Sequence, residues 1–187
     1  MMRFVVLLLL SLTSIAVNAE LSYDLLDKLT DSPHTLQGDF RQEKTLGEID
    51  AVIVSEGQFD YQRDEHIRWV TEKPIADELV MTPDLIISRQ DGENALTIEA
   101  DTNPTVKVMS TIFFAVMTAD WYSLSDYFFA NGQQSGQDWT VTLTPRNDVL
   151  KNSISSVELA GDKLLREITL LERNGDQTHI VLSNLNQ

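Results

Sequence analysis

The sequence predicts one α+β domain, in which a long antiparallel sheet follows an N-terminal helix and is interrupted near mid-chain by further helices. Apolar and polar residues alternate through most of the 187 residues, as in strands with one buried face. Two segments have helical spacing instead. The chain has no cysteine, so burial alone must hold the fold together. One domain of roughly 168 residues can bury about 70% of its unfolded surface.

Residues 1–19 are predicted to be a secretory signal peptide. A charged start, MMR, precedes the apolar stretch FVVLLLLSL, and the small residues VNA precede Glu20. The apolar stretch is shorter than the roughly 20 residues of a membrane helix, and no other segment comes close to that length. No cysteine follows the leader to carry a thioether-linked lipid. We therefore expect residues 20–187 to form a single exported, soluble domain.

The first predicted element of that domain is an amphipathic helix. Leu21, Leu25 and Leu29 recur at helical spacing, and the helix should end before Pro33. The period then changes to two, which predicts two strands with inward rows. The first row contains Leu36, Gly38 and Phe40, and the second contains Ala51, Ile53, Ser55, Gly57, Phe59 and Tyr61.

Further strands are predicted as far as residue 100. WVTEKP and residues 78–81 continue the alternation, and a break follows at Thr82-Pro83-Asp84. LIISR and ALTIEA lie on either side of Asp91-Gly92, which predicts a hairpin.

The helical interruption begins after residue 100. Asp101 to Asn103 are candidate caps, and Pro104 suits a first helical turn. Asp120 is placed to cap a second, short helix through Trp121 and Leu124. One side of the longer helix contains Val106, Met109, Phe113, Val116 and Met117, and Val108, Ile112 and Phe114 widen it. This helix is therefore expected to be apolar over most of its circumference.

Five strands are predicted after the helices, with no linker or internal repeat. Their sequences are DYFFA, DWTVTLT, SISSVEL, LLREITLLE and THIVLSNL. Asn131-Gly132 and Asn174-Gly175 have the composition of tight turns, so both are predicted to close hairpins.

Charge and motif content argue against several classes of function. The 14 basic residues are outnumbered by 29 acidic ones, giving a net charge of −15, which disfavours nucleic acid and anionic membranes as partners. The acidic surplus serves solubility, or keeps a protein that works beside membranes from adhering to them. His34, His66 and His179 have no metal-site spacing, and no GxSxG elbow or glycine-rich phosphate loop is present. We expect no metal, no cofactor and no catalytic residue.

One cation stands out in the segment GQFDYQRDEHIRW, residues 57–69. Arg63 has the parity of Phe59 and Tyr61, so the strand aims a guanidinium toward its own apolar face. The residues alone leave two interpretations open. Arg63 either extends past the strand end to reach water, or makes hydrogen bonds across an apolar gap.

The ordered motifs of the chain resemble the periplasmic lipoprotein carrier family LolA, over most of residues 20–187. The matching positions are Leu36, Gly38, Phe40 and Gln42, then Ser55, Gly57, Phe59, Tyr61 and Arg63, then Trp69, Pro74, Leu79 and Val80. The resemblance implies an unclosed, strongly curved antiparallel half-barrel whose central helices form a lid over an apolar cavity. It also implies a monomer that receives lipoproteins from an inner-membrane ABC transporter, shields their acyl chains and delivers them to an outer-membrane acceptor.

The resemblance also implies a set of site residues. Arg63 would act as a latch that binds backbone carbonyls of the lid and holds the empty cavity closed. The cavity would be lined by Phe40, Phe59, Tyr61, Trp69, Met81, Met109, Ile112, Phe113, Val116 and Met117. The flexible methionines would let the lid adapt to different chains.

Two departures from the family pattern bear on the function. Asp64 stands where the family often has proline, and the chain ends at Gln187 without the further strand of well-studied carriers. The cargo could therefore be a lipoprotein or another lipid. Two other classes stay open: an accessory or sensor domain of the same fold that binds a protein partner, and a small periplasmic hydrolase, for which no acid, base or nucleophile is evident.

Overall fold

The α+β prediction is confirmed by a computed structural model, which describes residues 22–82, 85–90, 93–99 and 104–187. Within these ranges eleven strands form one antiparallel sheet, and four helices accompany it. The predicted signal peptide, residues 1–19, lies outside the described residues.

The first half of the fold is one helix and six strands. They are α1 (Tyr23–Leu29), β1 (Thr35–Leu46), β2 (Ala51–Gln62), β3 (His66–Lys73), β4 (Asp77–Met81), β5 (Leu85–Gln90) and β6 (Glu93–Glu99).

The second half begins with the inserted helices. The elements are α2 (Pro104–Thr118), α3 (Trp121–Ser125), β7 (Phe128–Ser135), β8 (Asp138–Pro145), α4 (Asp148–Lys151), β9 (Ile154–Gly161), β10 (Leu165–Glu172) and β11 (Gln177–Asn186).

The strand order makes the first and last strands neighbours at the centre of the sheet. The order is β6-β5-β4-β3-β2-β1-β11-β10-β9-β8-β7, and β1 pairs with β11. The two outer strands, β6 and β7, are consecutive in sequence and are joined by α2 and α3. The sheet is thus an unclosed half-barrel, and the segment that joins its two edges carries the helices.

One apolar core unites both halves of the sheet with the helices. It contains Phe59 and Ile67 from the first half, Val141 and Leu159 from the second, and Val116 from α2. The residues that alternate with the core positions of these strands are mostly polar, but several of them, such as Val54, Phe129 and Val181, are exposed and apolar.

The core also fixes α3. Its Trp121 packs edge-to-face on Trp139 of β8, with ring centroids 5.4 Å apart. The Trp121 indole Nε1 donates to Thr30 Oγ1 at 2.7 Å, so this buried N–H has a partner. The Asp120 carboxylate accepts from the Ser123 backbone N–H at 3.1 Å, as predicted for a cap.

Of the two predicted Asn-Gly turns, one is confirmed and one is wrong. Gly175 has φ +89° and lies in the turn between β10 and β11. Asn131 and Gly132 lie instead inside β7, paired with Thr142 and Val141 of β8. A Cβ at Gly132 would lie 2.4 Å from the Thr140 carbonyl oxygen, so close strand approach, and not a turn, requires this glycine.

No helix within the described residues combines the length and the apolarity that a bilayer crossing requires.

Gly57 permits an unusually close approach in the middle of the sheet. It pairs with Phe40 of β1, and a Cβ at this position would lie 1.9 Å from the Val70 carbonyl oxygen and 2.9 Å from the Phe40 ring. A side chain here must therefore push β3 away or displace that ring.

Gly57→Ala should lower the free energy of unfolding by about 2–3 kcal/mol, because the added methyl group overpacks a rigid site. Gly136→Asn is the control, since Gly136 has φ +67° with open space around it and asparagine tolerates that conformation. Urea denaturation of both variants measures the difference. A Gly57→Ala variant as stable as Gly136→Asn would refute this account of the sheet.

Candidate functional site

Three aromatic rings form a row on the apolar face of the first half of the sheet. Phe40 and Trp69 stack with centroids 4.0 Å apart, and Phe59 stacks on Trp69 at 5.7 Å. Phe40 and Trp69 belong to β1 and β3, which are separated by β2. Their rings meet because Gly57, the β2 residue between them, has no side chain to keep them apart.

The C-terminal half of α2 covers this aromatic row. Phe113 meets the Trp69 ring edge-on, with centroids 6.1 Å apart. Ile112, Val116 and Met117 are buried, and none of residues 111–119 is exposed. A helix that is apolar all round is stable in water only when it is covered on most sides, so α2 depends on its contact with the sheet.

The structure brings the described residues of the predicted cavity wall together in one cluster. Buried members are Phe40, Phe59, Tyr61, Trp69, Met81, Ile112, Val116 and Met117, and Phe113 is half-buried against them. Met109 lies within α2, but its side chain is outside the described part of the structure.

Arg63 extends the inward row of β2 by one position. Its backbone N–H donates to the His34 carbonyl oxygen at 2.8 Å, which continues the ladder between β1 and β2. Its guanidinium Nη2 donates to the Pro33 carbonyl at 3.0 Å, to Ser32 Oγ at 2.5 Å, and to the Ser32 carbonyl. Arg63 is thus engaged with the connector between α1 and β1.

Ser32 links that arginine to the covering helix. Its hydroxyl accepts from Arg63 and donates to the carbonyl oxygen of Thr118, the last residue of α2, at 2.6 Å. The C-terminal carbonyls of a helix have no partner within the helix and carry partial negative charge, so they favour a cation nearby. We call the chain of hydrogen bonds Arg63–Ser32–Thr118 the strap.

The strap differs from the arrangement that the sequence suggests. The resemblance implies direct bonds from Arg63 to lid carbonyls, whereas the hydrogen bonds among the described residues go to the connector and reach α2 through a serine hydroxyl. No pattern in the sequence singles out Ser32. The Arg63 guanidinium hydrogen-bonds to Ser32 and Pro33, and Asp64 is exposed with φ +62°.

The connector is itself anchored to the sheet and to α3. Thr30 accepts from Trp121, and the hydroxyl of Tyr23 in α1 donates to the Phe128 carbonyl oxygen of β7 at 3.0 Å. Burial raises the pKa of Tyr23 to about 12, so its hydroxyl keeps its proton at physiological pH. The strap therefore ties α2 to a fixed part of the molecule.

Tyr61 and Arg63 each keep one polar atom without a partner beneath this strap. The Tyr61 hydroxyl and the Arg63 Nε are buried, and neither makes a hydrogen bond of normal geometry. Burial raises the pKa of the Tyr61 phenol, while the adjacent Arg63 guanidinium opposes the rise. The phenol is therefore neutral at physiological pH.

The largest cavity among those described by their lining residues, about 600 Å³, opens on the opposite, polar face of the sheet. Its lining includes Gln58, Asp60 and Arg68, and Asp60 lies 2.8 Å from His66. These groups suit polar contacts and not an acyl chain. No three carboxylate or histidine side chains converge as metal ligands within the described ranges.

Three solved structures are similar to this chain at low sequence identity. A LolA superfamily protein from Nitrosomonas europaea is 8% identical, with a TM-score of 0.45, 86% of this chain covered and 89% of that one. A DUF1329 family protein from Desulfovibrio piger is 12% identical, with a TM-score of 0.46 and coverages of 88% and 90%.

MucB, solved in complex with MucA from Pseudomonas aeruginosa, is a third similar structure. It is 15% identical, with a TM-score of 0.45, and this chain covers 88% of its own length but only 56% of the other chain.

Comparison of sequences gives the family. No curated protein matches the chain significantly. The family model of the outer membrane lipoprotein carrier protein LolA matches residues 31–187, which include every strand of the sheet and the helices α2 to α4. The chain therefore belongs to the LolA family of outer membrane lipoprotein carrier proteins.

Proposed function

We propose that this protein is a soluble periplasmic carrier that shields the acyl chains of lipoproteins, or of a related lipid, between the aromatic row and α2. The observation that best supports this proposal is the way α2 packs on the sheet. Its C-terminal half is apolar, meets the Trp69 ring of the aromatic row through Phe113, and is held at its end by a polar strap. Such a helix can move away from the sheet as a rigid unit. The apolar surface exposed beneath it would then suit the acyl chain of a lipid.

The free energy gained by burying an acyl chain exceeds the free energy of the strap, as a helix that covers the site reversibly requires. Burying one methylene is worth about 0.8 kcal/mol, so an acyl chain of about 14 methylenes gains about 11 kcal/mol. A hydrogen bond to a charged group contributes about 1.5–3 kcal/mol. Cargo burial can therefore break the strap and compensate for the lost contacts of α2, while the empty protein stays closed.

The route is part of the same proposal. The carrier would receive cargo from an inner-membrane ABC transporter and deliver it to an outer-membrane acceptor without a catalytic step. The net charge of −15 supports this, because it opposes adhesion of the protein to anionic membrane surfaces between the two encounters.

The protein purified from its native envelope should carry acylated cargo in stoichiometric amount, because burying an acyl chain gains more free energy than the strap contributes to the closed state. Native mass spectrometry of the gently purified protein measures this. A preparation free of lipid but bound to one polypeptide would contradict the carrier and favour the partner-binding accessory domain.

Arg63→Leu should leave the protein folded and able to accept lipid, but should slow lipid release about 10-fold to 100-fold. Loss of the strap removes about 1.5–3 kcal/mol that favours the closed, empty state. Transfer of a fluorescent lipid to acceptor vesicles, with thermal unfolding as a check of folding, measures the effect.

Ser32→Ala should slow release in the same direction by a smaller factor, because it removes only the link to Thr118 and leaves Arg63 on the Pro33 carbonyl. Arg41→Leu is the control, since Arg41 lies on the exposed face and pairs with Glu43. Transfer by Arg63→Leu at the rate of Arg41→Leu would remove the strap from the account.

A further inference from the structure

Two buried polar atoms lie together at the end of the inward row of β2, and neither makes a hydrogen bond of normal geometry. They are the Tyr61 hydroxyl and the Arg63 Nε, two residues apart and therefore on the same face of the chain. Tyr61 is 98% buried, since only 2% of its surface is exposed. Within the described residues they are the only buried side-chain nitrogen or oxygen atoms that lack a partner.

Native proteins rarely leave such groups unpaired, because an unmade hydrogen bond in an apolar site loses the hydration that water would supply. The Tyr61 oxygen lies beside the guanidinium and could accept from it, but the phenol O–H would still have no acceptor. One acceptor oxygen between the two groups would satisfy both, and no other buried side-chain nitrogen or oxygen among the described residues lacks a partner. On the same guanidinium, Nη2 is already occupied by Ser32 and Pro33, so Nε is the buried donor left for a ligand.

The surroundings limit what that acceptor can be. Tyr61 pairs with Leu36 of β1 and Ile67 of β3, and both are buried apolar residues. The Arg63 Nε can only donate, so a second donor would gain nothing there. The group that fits is an oxygen acceptor attached to an apolar chain. The carbonyl of an ester or amide that joins an acyl chain to its carrier has this chemistry.

We propose that the Tyr61 hydroxyl and the Arg63 Nε together bind the carbonyl oxygen of an acyl group, so that the site recognises an ester-linked or amide-linked chain and not hydrocarbon alone. This inference rests on the proposed function. It adds a polar subsite to a lipid-binding site that is otherwise apolar. The subsite adjoins the strap, because the same guanidinium holds Ser32. Cargo seated here would compete with the closed state for Arg63.

The test separates recognition of the carbonyl from burial of the chain. N-phenyl-naphthylamine, which has no acyl carbonyl, reports uptake into the apolar space by its fluorescence. A short-chain diacyl phosphatidylcholine and its dialkyl ether analogue of equal chain length then compete for that space, both below their micelle concentrations. The wild-type protein should bind the diacyl lipid about tenfold more tightly than the ether lipid.

Tyr61→Phe should abolish most of that preference while changing the affinity for N-phenyl-naphthylamine less than twofold. Its melting temperature without ligand should equal or exceed that of the wild type, because the substitution removes an unpaired buried hydroxyl. Tyr23→Phe is the matched control. The Tyr23 hydroxyl has a partner in the Phe128 carbonyl, so this variant should melt at a lower temperature and keep the ester preference.

Equal binding of the two lipids by the wild type would overturn the subsite while leaving the carrier intact. An ester preference that survives in Tyr61→Phe would overturn it as well, and so would a clearly lower melting temperature, which would show that the hydroxyl has a structural partner. Failure of the wild type to take up N-phenyl-naphthylamine or either lipid would instead contradict the proposed function itself.

Discussion

An apolar sheet face that does not close on itself must be covered, and this constraint shapes the whole molecule. Pairing of β1 with β11 places the chain ends of the sheet at its centre, which leaves β6 and β7 as the edges. The segment between these edges carries α2 and α3, and it covers the apolar face. The described helices α2 and α3 therefore supply much of the cover of this core, and Leu26 of α1 packs on the core as well.

The cover is attached in two different ways, and the difference matters for function. Near α3 it is fixed by Trp121, whose ring packs on Trp139 and whose N–H is bonded to Thr30. Along α2 it is held by apolar contacts and by the strap from Arg63 through Ser32 to the last carbonyl of the helix. Apolar contacts can be replaced by contacts with a hydrocarbon chain, whereas hydrogen bonds to carbonyls cannot. The strap is thus the part that distinguishes the closed state.

Much of the fold could be predicted because apolar residues recur with a period of two in strands and of about 3.6 in helices, and both periods are visible in the sequence. The inward row through Phe59 and Tyr61, the helix beginning at Pro104 and the Asp120 cap all follow from local patterns. Asn131-Gly132 was misread as a turn because a glycine needed for close strand approach has the same composition as a turn glycine. Ser32 could not be found at all, since its role depends on two residues that are distant in sequence.

The function proposed here requires that the hydrogen bond between Ser32 and the end of α2 breaks before the site can take up an acyl chain. The protein has no cysteine, so Ser32→Cys/Thr118→Cys would supply its only two thiols, at positions already joined by a hydrogen bond. A short bifunctional thiol reagent can then bridge them, and uptake of a fluorescent fatty-acid probe can be compared before and after bridging. Our account predicts that the unbridged double variant binds the probe and the bridged one does not. Equal binding by both forms would contradict it.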